Sequence, residues 1–292
     1  MAKDWASGLK ASISYGETTA RPNFRELAYV ETWDPISDSL FKGNPALKPS
    51  EIKNYDIRID WNLSETDLIS MSVFLKEIEN PIQATIGNTE LEIPYNGTVL
   101  NWGTGSNTFV NSNSAQVYGL ELEWKKGLEE YSEYLNGFRI GGNLTWSQSE
   151  VKLSEMEMAL FPAETIQPDY QMLNVSNRST RALEGQSEWI YTFDLSYSNE
   201  DLGLVSTLVY SYYDTRLHAA AFQYPNDLWE DGFSTLDFIN SYKFGEDQDW
   251  AIKASAKNLT AEKRIVRVLG TTSIEEQYET PRVFSISLEK KF

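Results

Sequence analysis

The stretch Tyr55-Asp56-Ile57-Arg58-Ile59-Asp60-Trp61-Asn62 puts aromatic or aliphatic side chains at 55, 57, 59 and 61 and polar ones at 56, 58, 60 and 62. Successive residues of a strand point to opposite faces, so a strand here has one apolar face and one charged face. A single amphipathic strand fits a soluble sandwich equally well. The pattern, however, recurs about ten times along the 292 residues, and the intervals between recurrences alternate between short and long. Up-and-down strands joined by short turns on one side and long loops on the other are the pattern of an outer-membrane β-barrel wall, apolar toward lipid and polar toward the lumen.

Period-2 alternation predicts strands over Ala6–Glu17, Glu51–Asn62, Leu68–Glu79, Ala115–Lys126 and Phe138–Val151, and again over Glu188–Asn199, Leu204–Leu217, Phe233–Gly245, Trp250–Lys263 and Glu279–Phe292. The intervals 62–67, 127–137, 199–203 and 245–249 are short or moderate. Those at 18–50, 80–114, 152–187, 218–232 and 264–278 are longer, and long loops in compact folds are usually functional. The expected fold is therefore all-β: an antiparallel transmembrane β-barrel wall of about ten up-and-down strands with long extracellular loops and short periplasmic turns. The first strand runs outward and the C-terminus lies in the periplasm. Ser154 to Leu160 is rich in helix formers and predicts a turn or two of helix.

Composition narrows the partners. Hydrophobic residues make up 41%, yet no run approaches the ~18 apolar residues of a spanning helix. Aromatics are 13%, with 9 Trp and 16 Tyr, the load expected of interfacial girdles where an apolar ring with a polar tip meets headgroups. Acidic residues outnumber basic ones 43 to 25, a net charge of −18 that argues against nucleic acid and against docking on anionic surfaces. Cysteine is absent, so neither disulfides nor thiol chemistry enter. Residues 1–5 lack the apolar stretch of a signal peptide, so a barrel read from this chain is expected to be a fragment.

Catalytic constellations are poor, and the expectation is no enzyme, no metal and no cofactor. His218 is the single histidine, and its neighbours Leu217 and Ala219 to Ala221 offer no nucleophile. The pairs Glu121 with Glu123 and Asp56 with Asp60 share strand faces as glycosidase carboxylates would, but Arg58 and Lys125 stand beside them, which favours solvated ion pairs.

The most specific motif runs from Thr19-Ala20-Arg21-Pro22 through Gly43-Asn44-Pro45-Ala46-Leu47-Lys48-Pro49-Ser50-Glu51 to Asn54-Tyr55-Asp56. Pro45 and Pro49 fix φ and Gly43-Asn44 forms a turn, together pinning where a long loop re-enters the wall. This resembles the loop-and-strand signature of TonB-dependent outer-membrane receptors, with Ser50 where that family often has Glu. Tyr118-Gly119-Leu120-Glu121-Leu122-Glu123 resembles the family's Gly-x-Glu strand, and Lys257-Asn258-Leu259-Thr260 its Asn-Leu element in the penultimate strand. The closing alternation Arg282 to Lys291 with terminal Phe292 resembles the signal read by the barrel-assembly machinery.

The resemblance covers essentially the whole chain, 1–292, as a partial receptor barrel domain, the C-terminal part of a barrel of about 22 strands. It implies a plug domain, a TonB-contacting segment and about twelve earlier strands, none of them within this sequence. An open ten-strand sheet alone would leave two unpaired edges in lipid. The implied function is part of a transporter taking up a scarce nutrient (siderophore, cobalamin or oligosaccharide class) with TonB-coupled energy. The implied partners are outer-membrane lipid, the receptor's remaining strands and plug, TonB through that plug, and the assembly machinery. Asp56, Arg58, Asp60, Glu121, Glu123, Arg139 and Lys253 are expected to face the lumen. Trp33, Tyr95, Trp102, Tyr224 and Trp229, with Phe41, Phe109, Phe161 and Tyr170, are loop aromatics that either stack on ligand or pack loop against loop. Two other readings stay open: a self-contained outer-membrane barrel acting as adhesin or enzyme, and a soluble β-sandwich binding module.

Overall fold

The computed structural model describes residues 2–4, 8–34, 39–86, 91–103, 106–155, 157, 179–221, 227–268 and 272–291. Ten long strands form one antiparallel sheet in chain order: β1 Leu9–Ala20, β2 Ser50–Asn62, β3 Leu68–Glu79, β4 Ser114–Gly127, β5 Phe138–Lys152, β6 Trp189–Asn199, β7 Leu204–Tyr213, β8 Phe233–Phe244, β9 Trp250–Lys257 and β10 Val283–Lys290. A three-residue strand, Ala2–Asp4, pairs back onto β1. The sheet is open: its path ends at Ala2–Asp4 on one side and β10 on the other.

All ten expected strands are present, with shifted ends. β9 stops at Lys257 because Asn258 turns to φ 55, its backbone N–H donating to Asp237 Oδ1 at 2.8 Å and its side-chain Nδ2 to the Thr280 carbonyl at 2.9 Å. β7 stops at Tyr213, and the chain resumes as a separate strand, Arg216–Ala221. Glu155 and Glu157 are helical, while the rest of Met156 to Leu160 and the terminal Phe292 lie outside the described residues.

The polarity of the wall is inverted relative to a soluble sheet. On β3, Met71 and Val73 are 45% and 47% exposed, whereas Ser70 and Ser72 between them are 2% and 8% exposed. The serines are covered by longer polar chains of their own face, such as Asp60 and Glu121, whereas the apolar residues stand exposed. On the apolar face Tyr15, Tyr55, Tyr118, Trp146 and Trp189 lie toward the long loops, while Trp61, Phe138, Tyr197, Tyr242, Phe244 and Trp250 lie toward the short turns. Aliphatic Ile57, Ile59, Met71, Val73, Leu120 and Leu122 fill the band between. Tyr55 and Trp61 stand about 20 Å apart along β2 at ~3.3 Å per residue, close to the height of an apolar band flanked by aromatic girdles.

The long loops are not irregular. They build a second, eight-stranded sheet in the order Ile274–Glu279, Lys263–Val268, Leu228–Glu230, Arg216–Ala221, Ile82–Ile86, Ser106–Asn111, Ser39–Lys42, Glu31–Asp34, and a hairpin of Leu91–Tyr95 with Thr98–Trp102. Asn96 and Gly97, at φ 48 and 79, make the hairpin turn that favours Asn-Gly. Most of the molecule's buried apolar residues sit here: Leu91, Leu100, Trp102 and Val110 form one cluster, and Ala219, Leu228 and Val266 another.

Candidate functional site

Two surfaces can meet a ligand: the polar face of the wall and the sheet built from the loops.

On the polar face, period 2 brings β2, β3 and β4 side chains into one network. Arg58 reaches Asp60 at 2.7 Å and Glu123 at 2.8 Å, Lys125 reaches Glu123 at 2.8 Å, and Ser70 donates to Asp60 at 2.6 Å. Glu121, next along β4, accepts from Ser72 at 3.0 Å, and Asp56 accepts from Ser14 at 3.3 Å. Cations separate the carboxylates, so the arrangement offers paired charges rather than an acid and a base poised together. Arg139 stands apart on β5, level with Gly127 and Ser196, and Lys253 pairs with Glu289 at 2.7 Å on the far edge. Five of the seven lumen candidates thus gather on two strands, β2 and β4, bridged by serines of β3, and two do not.

The loop aromatics divide by burial. Trp102 is 1% exposed, its indole N–H donating to the Lys42 carbonyl at 2.9 Å and its ring edge-on to Tyr29 at 5.3 Å. Tyr95 packs half-buried on the same cluster, and Phe41 meets Phe109 at 5.2 Å. Trp229 is half-buried, with its indole N–H enclosed and unbonded. Trp33 stands exposed on the outermost strand of the loop sheet. Phe161, Tyr170 and Tyr224 lie outside the described residues.

The Gly43 to Ser50 motif is a clamp between loops. A Cβ on Gly43 would lie 2.5 Å from the Ala28 carbonyl oxygen, so no larger residue fits. Asn44 donates to the Phe109 carbonyl at 3.0 Å, Asn111 accepts from the Lys48 amide at 2.8 Å, and Ser50 donates to the Asn80 carbonyl at 2.9 Å.

Two charged hubs carry no signal in the strand pattern. Arg181 Nη2 meets Glu157 Oε1 at 2.7 Å and Arg181 Nε donates to Gln83 Oε1 at 2.7 Å, all buried, with Ser112 donating to Glu157 at 2.8 Å. The signal that could have marked one end is Ser154-x-x-Glu157: Ser154 Oγ accepts from the Glu157 amide and Glu157 accepts from the Ser154 amide, a capping box. In the second hub Glu230 binds Arg216 at 2.6 Å and Arg264 at 2.5 Å. Burial alone would raise the Glu230 carboxyl, but the two guanidiniums outweigh it and hold it below its ordinary value. His218 faces Glu276 at 3.9 Å. Burial pushes Glu184 up to about 7, against the pull of the Ala84 amide and Arg181.

Residues 4–259 match the family model described as TonB dependent receptor-like, beta-barrel. No curated protein matches the chain. Among solved structures, the chain is similar to a variant of the ferric enterobactin receptor PfeA from Pseudomonas aeruginosa, at 14% identity and a TM-score of 0.57, covering 100% of this chain and 39% of that one. It is similar to the copper transporter OprC at 14% identity and a TM-score of 0.58, covering 99% and 38%. The siderophore receptor PirA from Acinetobacter baumannii aligns at 18% identity and a TM-score of 0.53, covering 100% and 40%. The chain therefore spans about two fifths of the length of the solved receptors it matches.

Proposed function

Because the chain belongs to the TonB-dependent receptor-like β-barrel family, whose members are outer-membrane proteins, we propose that it supplies part of the wall and of the extracellular mouth of an outer-membrane receptor that imports a scarce nutrient. The observation that carries this reading is the inverted polarity of the wall, with Met71 and Val73 exposed beside buried Ser70 and Ser72. Apolar side chains turned outward suit hydrocarbon, and the paired ions around Arg58 suit a wet lumen. Energy reaches the receptor through TonB and a plug outside this chain, and Phe292 serves the assembly machinery. The cargo belongs to the siderophore, cobalamin or oligosaccharide class. The chain's own residues bind and guide, and do no covalent chemistry.

The test uses the full-length receptor in its Gram-negative host. Membrane fractionation should place it in the outer membrane, and accumulation of its cargo, found by screening ferric siderophores, cobalamin and oligosaccharides, should collapse when TonB is deleted. A soluble receptor, or uptake indifferent to TonB, sinks the proposal.

A further inference from the structure

The chain holds two Asn-Gly steps, Asn96-Gly97 and Asn136-Gly137, and both stand in turns between strands. Glycine has no Cβ to shield its backbone nitrogen from the side-chain amide of the residue before it, so each step carries the means of its own covalent change. Asn96 and Gly97 are exposed at the tip of the hairpin of Leu91–Tyr95 with Thr98–Trp102. Nothing lies within 4 Å of where a Cβ on Gly97 would stand, and the Asn96 side chain bonds to no described residue. The hairpin's buried residues, Leu91, Leu100 and Trp102, anchor it away from the tip. Two-stranded hairpins are weak on their own, and their solvated ends open far more easily than a packed base.

Asn136-Gly137, between β4 and β5, is held on both sides. The Asn136 amide donates to the Glu133 carbonyl at 3.3 Å, the Gly137 carbonyl accepts from the Ser198 amide at 2.9 Å, and the Leu128 amide donates to the Phe138 carbonyl at 2.9 Å. A Cβ on Gly137 would run into the Ser198 carbonyl oxygen, so β6 lies directly against the glycine. For the side-chain carbon Cγ to meet the glycine nitrogen, the peptide between the two residues must swing round. At Asn96 that swing needs only the opening of a solvated tip. At Asn136 it breaks bonds within the turn and to β6.

We propose that Asn96 is a self-modifying site at which the folded protein deamidates, with water as the only co-reactant, while Asn136 is protected. The Gly97 nitrogen gives up its proton and bonds to Asn96 Cγ, and Asn96 Nδ2 leaves with a proton as ammonia, closing a succinimide ring. Water then adds to one of the two ring carbonyls and breaks its bond to nitrogen. Opening at Cγ gives an ordinary aspartate, whereas opening at the backbone carbonyl gives isoaspartate, in which the main chain runs through Cβ and Cγ. The aspartate keeps the hairpin, because Asp-Gly suits the same turn as Asn-Gly. The isoaspartate lengthens the main chain by one atom group, and the register Tyr95 opposite Thr98 is lost. The hairpin that covers Val110 with Leu91, Leu100 and Trp102 then loosens from its tip.

The experiment ages full-length receptor, purified in detergent, at mildly alkaline pH and follows both Asn-Gly steps by peptide mass spectrometry, with electron-transfer fragmentation to separate aspartate from isoaspartate. In the folded receptor Asn96 should convert about tenfold faster than Asn136, with isoaspartate among its products. In denaturant the two steps should convert at similar rates, which assigns the difference to the fold. Hydrogen exchange across Leu91–Tyr95 and Thr98–Trp102 should quicken in the aged receptor and stay slow in Asn96→Gly aged alongside, since Gly-Gly also suits the turn. Equal conversion of the two steps in the folded receptor, or an intact Asn96 where the denatured chain converts, overturns the proposal. The paired rates in the unaltered receptor decide it should Asn96→Gly fail to assemble. Neither measurement depends on cargo or on TonB, so failure here leaves the proposed import function standing.

Discussion

Arg181 and Glu157 meet at 2.7 Å with side chains 1% and 0% exposed, so neither can be removed without stranding the other's charge. Breaking a buried pair from one side typically costs about 3–5 kcal/mol, whereas replacing both members by apolar groups is often nearly neutral. Arg181→Met should therefore strip hydrogen-exchange protection from Ile82–Ile86 and Ser106–Asn111, and adding Glu157→Met should restore most of it. Glu184 supplies the opposite electrostatic case. It accepts from the Ala84 amide at 2.8 Å and faces Arg181 and Glu26, and burial lifts its carboxyl to about 7 from the 4.5 of a free side chain. A folded-state value above the unfolded one means the folded loop holds the proton more tightly, so its stability falls as pH rises from 4.5 through 7. The full cost of ionisation is about 3 kcal/mol, at ~1.4 kcal/mol per unit. Exchange protection of Ile82–Ile86, corrected for intrinsic rates, should be greater at pH 5 than at pH 8, and Glu184→Gln should flatten the difference.

The strand is the next unit, and β4 shows how tightly its neighbours constrain it. A Cβ on Gly119 would lie 2.4 Å from the Trp146 carbonyl oxygen and 2.7 Å from the Phe74 ring, because Phe74 lies across the glycine on the polar face. On the apolar face Trp124 and Phe193, 5.4 Å apart, close over Gly142 in the same way. Gly119→Val should cost about 1–3 kcal/mol or more in strain and lower the yield of heat-resistant assembled receptor on gels, while Phe74→Ala, which leaves the backbone contact untouched, should not rescue it. The wall was legible in sequence because each stave of eight or more residues repeats one period and its partner is the next stave. The same parity gathered Arg58, Asp60 and Glu123. The loop sheet was illegible because strands such as Leu228–Glu230 are too short to show a period, and some pair in parallel with distant partners, as Ala220 does with Thr85. Likewise Arg181 meets Gln83 across 98 residues, a separation no local pattern reports. Trp102 looked like any loop aromatic, since nothing beside it in sequence reveals that Lys42 waits for its indole.

At the scale of the molecule, the two ends of the wall differ in charge and in connectivity. The turns 63–67, 128–137, 200–203 and 245–249 contain ten acidic residues between them, such as Asp67, Glu129, Asp201 and Asp249, and not one lysine or arginine. At the opposite end, the loop sheet carries Arg216, Arg264 and Arg267 among its acids. Strands that alternate in direction put every turn at one end and every long loop at the other, so a single topological choice fixes both surfaces. The proposed function puts the loop sheet outside the cell and therefore the acidic turns in the periplasm. The chain contains no cysteine, which makes a single introduced thiol an unambiguous reporter. Thr98 sits at the tip of the loop hairpin, and Tyr134 is 95% exposed in the turn after β4. In intact cells making the full-length receptor, a membrane-impermeant maleimide should label Thr98→Cys and leave Tyr134→Cys untouched until the outer membrane is permeabilised. Labelling in the reverse order would turn the wall upside down and place the Gly43 to Ser50 clamp, the buried ion pairs and exposed Trp33 on the side away from any external cargo.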